Sequence, residues 1–96
     1  MKRQNTATLR ELIEELIRQE GLEEGLLRNR LYDLWDDMLG VTVAKNTRNK
    51  YLKDRKLFVE LDSSVVRSQL FMMRQEIVAQ LNKQLGKELI DELVLK

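Results

Sequence analysis

Six cations, Lys45, Arg48, Lys50, Lys53, Arg55 and Lys56, stand within twelve residues of the chain, with Asp54 the single acid among them. Guanidinium and ammonium groups stay charged at physiological pH, and a cluster of them draws phosphates electrostatically without reading sequence. Alternate residues of a strand share a face, so Arg48 and Lys50 align along one strand while Lys53, Arg55 and Lys56 gather at a turn. Arg67 and Arg74, seven residues apart on a later helix, either extend this basic surface or lay their stems over the edge of the core. Lysines on an exposed strand also discourage pairing between copies, which leaves a second role open for the same side chains.

The net charge of +1 conceals an opposite bias upstream. Between Glu11 and Asp37 nine acids stand against three bases, Arg18, Arg28 and Arg30, which predicts a polarised surface. Other chemistry is largely excluded. The chain has no His and no Cys, so the commonest general base, the commonest metal ligand and the most reactive nucleophile are missing. Its four glycines, Gly21, Gly25, Gly40 and Gly86, form no phosphate-binding loop. The acid pairs Glu14-Glu15, Glu23-Glu24 and Asp36-Asp37 are helix neighbours that do not face one another, as a solvated helix face would have them. The expectation is a protein that is not an enzyme, with no cofactor, no metal and no small-molecule substrate.

A chain of 96 residues makes one domain, expected over 1–96 with 1–7 as a flexible N-terminus. Met1 to Arg10 lacks the apolar stretch of a signal peptide and no run is apolar enough to span a bilayer, so a cytoplasmic protein without a membrane partner is expected. Thr8 and Glu11 form a capping-box pattern ahead of the stripe Leu9, Leu12, Ile13, Leu16 and Ile17, and Gly21 stops that helix. A second helix from about Glu23 carries Leu27, Leu31, Leu34, Trp35 and Met38, and Gly40 follows it. Thr47 to Lys53 and Lys56 to Leu61 read as strands joined by a tight turn at Asp54-Arg55, although neither residue is the glycine such turns prefer. Ser63 or Ser64 caps a third helix with the stripe Val66, Leu70, Met73, Ile77, Leu81 and Leu85. That helix runs for about 20 residues, or ~30 Å, before Gly86. Ile90 to Leu95 supplies a last strand. The order α-α-β-β-α-β predicts an α+β domain whose three-stranded sheet has one face covered by helices. Trp35 belongs to the core by its stripe, whereas Tyr51 and Phe58 either pack across strands or offer faces to bases. Met72 lies opposite the third helix's main stripe.

The ordered series Trp35, Gly40, Ala44, Thr47, Leu52, Leu57-Phe58-Val59, Ser63-Ser64, Leu70, Leu81-Asn82 and Leu85-Gly86, with Gly21-Leu22 upstream, resembles the DciA-like family. These are bacterial proteins named for replicative-helicase loading or operation and long catalogued as a domain of unknown function. The resemblance implies a K-homology-like fold and an accessory role in DNA replication beside the hexameric replicative helicase and DNA. A GxxG loop, the usual nucleic-acid clamp of K-homology domains, is absent. Relatives often carry an additional basic tail, whereas Lys96 directly follows the last expected strand; contacts made by such a tail are not expected of these residues. At Arg67 the family often has an aromatic residue, and the zinc site attributed to some relatives is excluded without Cys or His. Two functional classes emerge: a nucleic-acid-binding replication accessory, with DNA preferred over RNA, and a protein adaptor docking through the acid-rich first helices.

Overall fold

The structure is a computed structural model that describes residues 6–19 and 22–96. Its elements run α1 (Thr6–Gln19), α2 (Leu22–Leu39), α3 (Val41–Asn46), β1 (Thr47–Lys53), β2 (Lys56–Leu61), α4 (Ser64–Met72), α5 (Arg74–Leu85) and β3 (Glu92–Leu95). The α+β class and the outline of the expected order hold. Of the expected N-terminal segment, residues 1–5 lie outside the described residues, as does Gly21, and α1 opens at Thr6. Thr8 therefore sits within α1 and does not cap it.

Two elements differ from expectation. The short helix α3 occupies a stretch whose β-branched Val41, Thr42 and Val43 disfavour a helix locally. Gly40 turns the chain into it at φ 91°, a backbone that suits glycine. Asn46 Nδ2 then donates to Thr42 O across the single turn, at 2.8 Å. The expected third helix is two helices, α4 and α5, broken at Met73 (φ −108°, ψ 11°). Val66 and Leu70 of α4 are buried with β2, and Ile77, Leu81 and Leu85 of α5 with α2 and β3, whereas Met73 at the break is exposed. A bend lets both stripes follow a twisted sheet that one straight helix would leave at an end.

The sheet order is β1-β2-β3. β1 and β2 are antiparallel, with Tyr51 opposite Phe58 and Lys53 opposite Lys56. β2 and β3 are parallel, with Leu57 beside Leu93 and Phe58 beside Val94. Leu57, Val59 and Leu61 point into a core completed by Leu31, Trp35, Val66, Leu70, Ile77, Leu81, Leu85, Ile90 and Leu93, with no buried polar or charged residue among the described residues. Trp35 is fully buried, and its Nε1 donates to Thr47 Oγ1 at 3.0 Å while that hydroxyl donates to Val43 O at 2.7 Å. Its one polar atom is thus satisfied at the junction of α2, α3 and β1.

Caps bracket the α4–α5 pair at its two outer ends. Ser63 Oγ accepts from Val66 N at 3.2 Å, and Gly86 ends α5 in the left-handed region at φ 74°. Asn82 holds the segment beyond α5 in place: its Oδ1 accepts from Leu89 N and Ile90 N at 3.0 and 3.1 Å, and its Nδ2 donates to Ile90 O at 2.8 Å. One amide thereby steers the loop that carries Asp91 and Glu92 to the hairpin.

The first helix departs most from expectation. The spacing of Leu9, Leu12, Ile13 and Leu16 predicts that they join the core, yet all four side chains are exposed. α1 touches α2 over only a small area, and the molecule measures 63 × 25 × 21 Å with a radius of gyration of 17.0 Å. A compact chain of this length measures about 12–13 Å. Among the described residues no helix is long and apolar enough to cross a membrane.

Asn82→Ala strands two amide donors and a carbonyl, so it is expected to cost about 2–3 kcal/mol. Urea denaturation followed by circular dichroism checks this; Asn46→Ala, on the exposed short helix, is expected to cost less than half as much.

Candidate nucleic-acid interface

The hairpin owes its tightness to Asp54 and Arg55, both in the left-handed region at φ 52° and φ 63°. A two-residue turn of the type that matches strand twist requires this at both central positions and favours Asn or Gly there. Arg55 adopts it with support from the loop before β3. Its Nη1 donates to Glu88 O at 3.0 Å, its Nε reaches Asp91 Oδ2 at 3.3 Å, and its own carbonyl accepts from Asp91 N at 2.9 Å.

The six hairpin cations do not converge. Arg48 forks onto Asp62 at the far end of the ladder, Nε at 2.8 Å and Nη2 at 2.5 Å, and that hydrogen bond, followed by the charge of Asp62, raises its pKa. Lys50 turns toward the helices, its Nζ donating to Asp36 Oδ2 at 2.8 Å and to Tyr32 O at 3.1 Å, and only 17% of its side chain is exposed. Lys56 stands 3.9 Å from Glu92 Oε1. Lys45, in the last turn of α3, and Lys53, at the hairpin, have no acid partner among the described residues.

The two later arginines lie elsewhere. Arg67 is half-buried, with Nη2 donating to Leu61 O at 3.2 Å and a buried Nε that has no partner among the described residues. Arg74 covers the Phe71 ring at 4.0 Å and donates to Phe71 O at 2.8 Å. Both sit on the helix pair α4–α5, where Arg74 borders a groove shared with Asp91 and Glu92.

The arrangement does bring together the open face of the sheet. Because Leu57, Val59 and Leu61 point inward, Lys56, Phe58 and Glu60 point out, and their cross-strand partners Lys53, Tyr51 and Asn49 share that face with Glu92 and Val94. Tyr51 and Phe58 stack with centroids 4.8 Å apart and planes within 8°. Lys96 reaches back across β2, its Nζ 5.3 Å from the Phe58 centroid, 5.9 Å from that of Tyr51, and 3.3 Å from the Tyr51 hydroxyl. Sequence reasoning left Lys96 out. A two-residue turn at Asp54-Arg55 fixes the register that sets Tyr51 opposite Phe58, but nothing in the chain signals that its last lysine folds over them.

A family model described as "Dna[CI] antecedent, DciA" matches residues 8–95. The chain belongs to the DciA family. It is also similar to a UPF0232 protein of Corynebacterium glutamicum (strain R), 34% identical over 59 residues. That match spans 62% of this chain and 33% of the relative, about a third of its length. The family match takes in the whole sheet and every helix from α2 to α5, so the hairpin and its open face belong to the DciA-matched region.

Of the hairpin cations in this DciA-family chain, Lys50 carries the most structural weight. Lys50→Glu sets a carboxylate against Asp36 and the Tyr32 carbonyl and is expected to cost about 2–4 kcal/mol, whereas the exposed Lys53→Glu stays within about 0.5 kcal/mol of wild type. Thermal melts of the two variants side by side check the contrast.

Proposed function

We propose that this DciA-family chain is a non-catalytic accessory of bacterial DNA replication that works beside the replicative helicase and touches DNA through its central hairpin. The single observation that carries the reading is the family match over residues 8–95, from a family named for helicase loading. The element order from α2 to β3 supports a K-homology-like assignment, with the hairpin in place of a GxxG loop as the nucleic-acid contact. Among the described residues Lys45 and Lys53 have no acid partner, which leaves them available to phosphate. Arg48, Arg55 and Lys56 sit in exposed ion pairs, which solvent screens and a phosphate can displace at little cost. Lys50, Arg67 and Arg74 act chiefly as struts and stems on the helical side.

Binding is therefore expected to be weak, about micromolar or weaker at moderate salt, and to fall steeply as salt rises. Fluorescence anisotropy on a labelled DNA oligomer, read at two salt concentrations, measures both. The triple variant Lys53→Glu, Arg55→Glu, Lys56→Glu should lower affinity at least about tenfold at low salt. Unchanged affinity in that variant would remove the hairpin from the interface.

A protein-docking reading is favoured by α1. Four exposed apolar side chains in one stripe, with Glu11 and Glu14 alongside, form the kind of face that a protein partner covers. The helicase is the proposed occupant. Leu12→Ser with Ile13→Ser removes apolar surface that the domain itself does not bury, so the melting temperature should hold while co-elution with the helicase is lost. Co-elution that persists would assign docking to another face.

A further inference from the structure

We infer that the open face of the sheet is a stacking platform for single-stranded nucleic acid, with a base laid on the Tyr51–Phe58 pair and its flanking phosphates held by Lys53, Lys56 and Lys96. The inference rests on the DNA-contact reading above and adds to it a kind of strand and a mode of contact.

Three features of this face point the same way. None of the core residues lies on it, and the helices lie on the other side of the sheet, so two aromatic rings are kept on a surface that the fold does not use for its core. The rings lie nearly parallel across β1 and β2. Tyr51 forms the outer end of the stack, for β1 is the edge strand and no described strand lies beyond it. Tyr32 does reach that edge from the helix side, where its hydroxyl accepts from Leu52 N at 2.9 Å. A planar base therefore extends the stack outward from Tyr51, and stacking of this kind is tolerant of base identity.

The second feature is a conflict of charge. Lys53 and Lys56 are directly opposed on the same face at the last pair before the turn. Like charges in that position repel and weaken a hairpin. Lys56 has a distant acid in Glu92 at 3.9 Å, and Lys53 has none among the described residues. A bridging anion relieves the repulsion.

The third feature is Lys96, whose ammonium lies over both rings and bonds the Tyr51 hydroxyl. Aromatic faces bracketed by cations match a strand that offers bases and phosphates in alternation. Duplex DNA has its bases already stacked and gains only the cationic part. Glu60 and Glu92 share the face and place the phosphate path on the Lys53 side, at the edge away from β3.

The test compares the full chain on a labelled oligothymidylate with an abasic oligomer of equal length and charge, by anisotropy at low salt. Wild type is expected to bind the base-bearing strand about tenfold more tightly. Tyr51→Leu with Phe58→Leu keeps an apolar cross-strand contact and should bind both oligomers with the wild-type abasic affinity. Ring signals of Tyr51 and Phe58 should shift in NMR spectra with the thymidylate and not with the abasic strand. Equal wild-type binding to the two oligomers overturns the platform while leaving the cationic DNA contact standing. Binding to neither removes the DNA reading and the platform together. The wild-type comparison decides the question even if the double variant does not fold.

Discussion

Leu57, Val59 and Leu61 take one face of β2 out of water, and that face can be covered only by residues drawn from both halves of the chain. Leu31 and Trp35 approach from before the hairpin, while Leu81, Leu85, Ile90 and Leu93 approach from after it. Among the described residues β2 is also the one strand with neighbours on both sides, antiparallel to β1 and parallel to β3. Its alternation does two things at once. The residues that face inward build the core, and those between them, Lys56, Phe58 and Glu60, are committed to the open face. A one-residue slip of register would exchange the two sets, so the apolar pattern that secures the fold also places the candidate site.

Much of this was legible in the sequence because the signals are local. The period-two run from Leu57 to Leu61, the cap at Ser63, the glycine after α5 and the apolar spacing of α2 each depend on a few neighbouring residues. The break at Met73 was not legible, since no proline or glycine marks it and the apolar spacing runs through it. The helix over Val41–Asn46 was hidden by three β-branched residues whose conformation is set by Gly40 and by the Trp35–Thr47 contact. The fate of the α1 stripe was hidden for a different reason. Periodicity shows that a helix has an apolar face but not whether anything in the same chain covers it.

The candidate site shows the same division. Composition located the cations, and their division between the two faces of the hairpin, with Lys50 toward the helices and Lys53 and Lys56 on the open face, could not be read from it. Lys50 finds Asp36 across 14 positions and Arg55 finds Asp91 across 36. The acid-rich and base-rich segments, opposite poles by composition, are partly neutralised against each other at Lys50–Asp36. What charge counting missed, strand register supplies: the paired rings and the opposed lysines stem from the length of the Asp54-Arg55 turn.

The exposed stripe of α1 has a thermodynamic consequence. A lone helix of 14 residues is only marginally stable in water, because propagation barely repays the entropy of nucleation. α1 draws little from the rest of the domain, so its amide protons should exchange with solvent far sooner than those of β2. Any molecule that covers the stripe then orders the helix as it binds. Calorimetry would register that coupling as a negative change in heat capacity from the apolar area removed from water.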